Sequence, residues 1–352
     1  TQFPYKTRMS QPLYYNAVHC FNQGNYGKTE ALWNRFHDWR SAWEAVRSGA
    51  RIEPEAEWET LLKRDVRLVL VEDEAYPPLL RETVRAPFGL YLLGTADWNR
   101  PAVAIVGTRR ATSEGIKIAH RFAEDLATQG IVIISGLALG IDGAAHAGAL
   151  ASGVAGATIA ILPCGLDDIY PKMHANLAND IVRAGGSLIS EYPFNTPSFP
   201  ANFLERNRII AGVSRGTVVI EAPLKSGALV TARLAMEANR DVLAVPGPIN
   251  PPNYAGPHKL IQDGAGLITC AEEICAAMNI LYQKSGPVGG TPDMPLTPEE
   301  QTVIAALKTA GTPLTIDTIA ELGMLDIHTA SRAAATLSVN GTLNETNGLY
   351  SL

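Results

Sequence analysis

The sequence predicts an α/β chain organised around a Rossmann-like, doubly wound, mostly parallel sheet, with a helical domain before it and a winged helix after it. Three observations carry this. Between Pro101 and Met278, short β-branched runs alternate with helical stretches. The runs are apolar throughout, as strands covered on both faces are. On either side the alternation stops, and apolar residues recur at helical spacing.

The segments follow in order. Residues 1–65 form the N-terminal helical domain, because "LWNRFHDWRSAWEAVRSG" spaces apolar residues at three and four and ends on Gly49, a C-cap. Residues 66–100 are a connecting segment with a strand or two, since short apolar runs there are broken by Pro and Gly. In the main domain, residues 101–279, strands are expected at 103–106, 131–134, 157–162, 187–190, 217–221, 242–245 and 266–269. Helices such as "SEGIKIAHRFAEDLATQG", "MHANLANDIVRAGG" and "SGALVTARLAMEANR" separate them. Residues 280–296, rich in Gly and Pro, read as a linker. Residues 297–352 give three short amphipathic helices and a hairpin closing through Asn347 and Gly348.

Composition narrows the function. A chain of 352 residues, 46% hydrophobic, buries a full core and is expected to hold more than one domain. Its longest apolar runs are strand-sized, against the roughly 20 residues a membrane helix needs, so no membrane span is expected. The opening "TQFPYKTRMS" does not read as a secretory signal, and the Thr1 start leaves room for residues upstream. Cys20, Cys164, Cys270 and Cys275 show neither CxxC pairing nor histidine partners at zinc spacing. Buried thiols in a reducing cytoplasm are expected, with no metal and no cofactor. The net charge of −6 disfavours nucleic-acid binding through bulk positive charge. Any such binding needs a local patch, and Phe199 to Arg240 supplies one, with six Lys and Arg against three Glu.

Ligands of an open parallel sheet bind outside the carboxyl ends of its strands. The segments there are glycine-rich and carry the anion-binding candidates. Gly107, Thr108, Arg109 and Arg110 follow the first strand, and Ser135 and Gly136 the second. Lys225 precedes Ser226 and Gly227 at a helix N-terminus, where free N–H groups and the helix dipole favour phosphate. Ser226 reads equally as an ordinary N-cap. "FLERNRIIAG" adds Phe203, Arg206, Asn207 and Arg208, a mixture suited to phosphates and unstacked bases. Tyr192 is a further stacking candidate.

Other readings are weaker. Asp142 and His146 share a helix face inside "SGLALGIDGAAHAGAL", yet two ligands do not make a metal site. Asp142 is expected to cap the helix, His146 to hydrogen-bond within a small-residue interface, and Gly136 and Gly140 to let backbone approach closely. Arg109 replaces the close-approach glycine of a dinucleotide fingerprint, and no GK[ST] ending marks a P-loop. Residues 297–352 carry two basic residues, Lys308 and Arg332, against six acids. That charge repels a phosphate backbone, so a protein-contact or regulatory role is expected.

Several blocks resemble one family closely. "AIVGTRRATSEG", "SGLALGIDGAAHAGAL", "TIAILPCGLDDIYP", "LISEYP", "RNRIIAGVSRGTVVIEAPLKSGALVTARLAMEANRDVLAVPGPI" and "GPHKLIQDGA" are similar to the DNA-processing protein A family, DprA or Smf. The resemblance covers nearly all of residues 100–270, and a SAM-like helical domain and a terminal winged helix fit the family's domain order. It implies a non-enzymatic, cytoplasmic, dimeric protein that binds single-stranded DNA. It also implies protection of incoming DNA and help in loading the RecA recombinase during natural transformation. Carried over by motif, Arg109, Arg206, Arg208, Lys225 and Ser226 would form a positive pocket. The sequence departs at Leu204, where the family pattern has Pro, and at His174, where it has Asn. The alternative from a related sheet is a phosphoribohydrolase-like nucleotide-processing enzyme, but "EAPLKSGALVTA" lacks that group's double-glycine turn and glutamate.

Overall fold

The computed structural model describes residues 5–282, 297–339, 343–346 and 348–351. The chain divides into two compact units, Thr1–Tyr282 and Gln283–Leu352. In the first, helices α1 (Tyr5–Phe21), α2 (Tyr26–Phe36), α3 (Trp39–Val46) and α4 (Pro54–Lys63) come first. Asn25 and Asp38 cap α2 and α3 by accepting from backbone N–H groups three residues on. Strand β1 (Val66–Leu70), the short α5 (Pro78–Arg81) and strand β2 (Gly89–Gly94) follow.

The alternating part then runs β3 (Ala102–Val106), α6 (Ser113–Thr128), β4 (Val132–Ser135), α7 (Ile141–Ala151), β5 (Thr158–Leu162), α8 (Ala175–Arg183) and β6 (Ser187–Ser190). It continues with α9 (Pro200–Gly212), β7 (Gly216–Val219), α10 (Gly227–Glu237), β8 (Asp241–Ala244), α11 (Ala255–Gln262), β9 (Gly266–Leu267) and α12 (Ala271–Ala277). All nine strands form one sheet in the order β1-β2-β6-β5-β4-β3-β7-β8-β9, parallel from β6 to β9. The expected Rossmann-like sheet is therefore present.

Residues 66–100 do more than connect. Strand β2 pairs antiparallel with β6 and β1 with β2, so this segment extends the sheet at one edge. The period-two alternation of strands divides the core between two faces. Val103 and Ile105 of β3 pack with Phe122 and Leu126 of α6 and Ala145 of α7. Ala104 and Val106 face the other way, towards Ile209 and Ile210 of α9 and Ala232 of α10. Tyr15, Trp39 and Leu61 of the N-terminal helices close a third cluster over Val66, Leu68 and Tyr91.

The chain leaves β3 for β4, β5 and β6 on one side, then crosses to β7, β8 and β9 on the other. Strand order thus reverses between β3 and β7, and the carboxyl ends of those two strands flank a crevice.

In the second unit, α13 (Pro298–Ala310) starts with a capping box in which Thr297 Oγ1 accepts from Glu300 N at 3.2 Å. Strand β10 (Leu314–Thr315), α14 (Ile316–Gly323), α15 (Ile327–Val339), β11 (Asn344–Thr346) and β12 (Leu349–Ser351) complete it, with sheet order β10-β12-β11. Strands β11 and β12 pair antiparallel, with Thr346 opposite Leu349. Of the expected turn residues, Asn347 lies outside the described residues and Gly348 adopts a φ of 75°.

Candidate nucleic-acid interface

The crevice between β3 and β7 opens into a cleft of ≈ 670 Å³. One wall is the loop after β3. Thr108 N donates to the carbonyl of Glu221 at 2.7 Å, and Ile141 N donates to that of Thr108 at 3.3 Å. These bonds fix Gly107 and Thr108 and leave Arg109 and Arg110 exposed at the lip. Gly140 lies against the same loop with φ at 78°, and a Cβ there would fall 2.3 Å from the Thr108 carbonyl oxygen.

The opposite wall is α9 and the start of α10. Ser226 caps α10, accepting from Ala228 N at 3.2 Å, so the capping reading of that serine is realised at the cleft wall. Lys225, exposed, precedes it. Phe203 projects from α9 into the cleft, where the Arg109 guanidinium lies 4.6 Å from its ring centroid and Tyr170 meets its edge at 5.3 Å. Arg109, Arg110 and Lys225 take part in no ion pair among the described residues. They are cations around an aromatic ring, free to meet an anion.

The arginines of α9 behave differently. Arg206 is 3% exposed beneath the cleft floor. Its Nη1 donates to the carbonyls of Gly136, at 2.9 Å, and of Ile161, and its Nε donates to Asn207 Oδ1 at 3.3 Å. Asn207 Nδ2 in turn donates to the Gly227 carbonyl at 3.3 Å. The chain of bonds ties the loop after β4 and strand β5 itself to α9 and to the start of α10. Burial pulls the Arg206 guanidinium down to about 10, against the opposing pull of Asp142. Burial also raises the Asp142 carboxyl, and Arg206 opposes that rise.

Asp142 does not cap its helix as expected. Gly140 occupies the N-cap position without a side-chain bond, and Asp142 Oδ2 turns back to accept from Gly136 N at 3.2 Å and Ala138 N at 3.4 Å. Gly136 therefore donates to the acid and accepts from the base, and a Cβ there would lie 2.5 Å from Arg206 Nη2. Ser135 is fully buried and donates to the Ile105 carbonyl at 2.6 Å. His146 sits among small residues of α7, as expected, with Nδ1 2.7 Å from Thr158 Oγ1. Because that hydroxyl donates to the Ile133 carbonyl, the ring donates through Nδ1, and burial pushes its pKa down to about 3.

Arg208 points away from the cleft. Its guanidinium pairs with the buried Glu191 at 2.5 Å and donates to the Arg85 carbonyl at 2.6 Å, with the Tyr26 ring 5.2 Å away. Burial pushes its pKa down and Glu191 more than offsets this. Tyr192 is buried on that side as well. The structure thus gathers Gly107, Thr108, Arg109, Arg110, Phe203, Arg206, Asn207, Lys225, Ser226 and Gly227 around one cleft and places Ser135, Gly136 and Arg208 outside its lining.

Of the positive stretch from Phe199 to Arg240, folding leaves only Arg215 and Lys225 exposed and outside any ion pair among the described residues. Arg208, Arg233 and Arg240 pair with Glu191, Glu237 and Glu82, and Arg206 is buried. Sequence reasoning missed Glu221 as a buried anchor. Its carboxylate accepts from Thr112 N at 2.9 Å, from Thr112 Oγ1 and from Asn253 Nδ2 at 3.0 Å. The available signal was Gly115, whose missing side chain leaves room for that carboxylate. Tyr170, in the loop after β5, was also passed over.

The profile of the DNA recombination-mediator protein A family matches residues 67–279, more than half of the chain and all of the sheet but one residue of β1. The chain belongs to that family. It is 47% identical over 208 residues to Protein Smf of Escherichia coli, an alignment covering 59% of this chain and 55% of that protein. The chain thus spans a little over half of that relative's length. Among solved structures it is similar to DNA processing protein A of Streptococcus pneumoniae, with a TM-score of 0.58 at 34% identity, over 77% of this chain and 95% of that one. It is also similar to the Helicobacter pylori protein, described for its single-stranded DNA binding mode, with a TM-score of 0.53 at 30% identity, over 61% and 95%. Among the described residues no helix is long and apolar enough to cross a membrane.

Proposed function

We propose that the chain binds single-stranded DNA in the switch-point cleft and acts without catalysis as a recombination mediator. In this reading it works in the cytoplasm as a homodimer, protects incoming strands and helps load the RecA recombinase on them during natural transformation. The observation that carries the binding reading is the convergence of three cations unpaired among the described residues, Arg109, Arg110 and Lys225, on the half-buried ring of Phe203 and the exposed ring of Tyr170. Cations track the phosphates, and an aromatic face takes any base without demanding sequence. The description of the Helicobacter pylori relative supports the same ligand. Glu221 is enclosed by Thr112 and Asn253 and does not line the cleft, and Asp142, the acid that does, accepts from the Gly136 and Ala138 N–H groups.

The test is a fluorescence-anisotropy titration of a labelled single strand at several salt concentrations, with duplex of equal length as competitor. Salt-sensitive binding that duplex displaces poorly is expected. No binding at low salt, together with release of base from nucleoside monophosphates, would replace this reading with the phosphoribohydrolase one.

A further inference from the structure

The cleft does not end at Lys225. Leu204 and Lys225 line it on one side and, on their other side, a second groove of ≈ 420 Å³ walled by Leu224, Leu229 and Arg233. Leu204 and Leu224 are 52% and 61% exposed. Apolar side chains this open, set beside cations, form a surface that suits the flat face of a base with its phosphate to one side. Among the described residues, no acidic side chain lines the groove. Arg233 reaches it while pairing with Glu237 at 3.4 Å, an exposed pair one helical turn apart and weak enough to yield to a phosphate.

The other flank of α9 offers a contrasting route. Beyond Phe199, the groove against the N-terminal helices contains Glu191 and Glu205, whose carboxylates are engaged by Arg208 and Arg85. It presents no spare positive charge. We propose that a single strand bound in the switch-point cleft leaves it over Lys225, seats its next base against Leu204 and Leu224, and sets the following phosphate on Arg233. This extension rests on the single-strand reading of the cleft and adds a direction to it.

The experiment titrates oligothymidylates of about 4 to 16 nucleotides against the full chain and three variants. Leu224→Ser should bind the shortest oligonucleotides like the parent protein and lose roughly fivefold in affinity on the longer ones. Arg233→Gln should lower the salt slope by about 0.7 on the long oligonucleotides only. Phe199→Ser, on the opposite flank, should match the parent at every length. All three substituted side chains are surface-exposed, and unchanged urea midpoints would verify folding. Parent-like binding by the leucine and Arg233 variants at all lengths, or an equal loss at all lengths, overturns the path while leaving the cleft reading intact. A parent protein that binds no oligonucleotide at low salt removes the cleft reading first, and the path with it.

Discussion

Two arginine-bearing segments frame the cleft, and they spend their charge in opposite ways. The loop after β3 holds Arg109 and Arg110 at the surface on a backbone fixed from behind by Thr108 and Gly140. The first turns of α9 fold Arg206 inward to two carbonyl oxygens and commit Arg208 to Glu191. In sequence the two read alike, as basic residues in polar loops. The difference teaches that exposed charge at the cleft is small and local, Arg109, Arg110 and Lys225, whereas the α9 arginines are committed to structure, Arg206 to the Gly136 and Ile161 carbonyls and Arg208 to Glu191.

The largest effect that could break this comparison is on stability. Arg206→Ala strips the partners from two buried carbonyls and leaves the Asp142 carboxyl without its cation, so urea denaturation should show a loss of about 3–5 kcal/mol. Arg206→Lys should recover little of it, since one ammonium cannot reproduce the guanidinium fork. A variant of normal stability with weakened DNA binding would move Arg206 into the contact set.

The next largest concerns pH. Burial holds His146 at about 3 and His19 at about 4, against the ordinary 6.5. Both are depressed, so the unfolded chain takes up protons that the folded chain refuses. Their contribution is complete above pH 6.5 and is lost as pH falls from there towards 4, at about 1.4 kcal/mol per unit for each group. Denaturant midpoints should fall below pH 6.5, whereas affinity per folded molecule should hold, because neither His19 nor His146 lines the cleft. Midpoints flat from pH 7 to 5 would contradict the assignment.

A smaller effect sharpens the comparison at one atom. Gly136→Ala places a methyl 2.5 Å from Arg206 Nη2 and should cost about 1–3 kcal/mol in stability. Arg109→Ala should stay within about 0.5 kcal/mol of the parent in stability and yet weaken single-strand binding by roughly tenfold.

Much of this was legible in the sequence. The strands of the sheet announce themselves as short apolar runs, and Gly107 to Arg110 and Lys225 to Gly227 fall at strand ends where the fold places ligands. What stayed hidden depends on partners far along the chain. Nothing local shows that Val66–Leu70 and Gly89–Gly94 add antiparallel strands to the sheet, because pairing direction is not a local property. Nor does a charge count over residues 199–240 reveal that Glu191 and Glu82, which lie outside it, pair with Arg208 and Arg240. The inward turn of Arg206 left one trace, the glycine at position 136, which reads as a ligand loop until the guanidinium behind it is seen. Asp142 reads as a cap by position, and only the fold shows it turning back to the loop it follows.

The most direct test of the central claim is the salt dependence of single-strand affinity in the double variant Arg109→Ala with Lys225→Ala. Each lost phosphate contact lowers the slope of log K against log salt by about 0.7, so a drop of about 1.4 is expected with the urea midpoint unchanged. A slope equal to that of the parent protein, in a variant that folds normally, would contradict it.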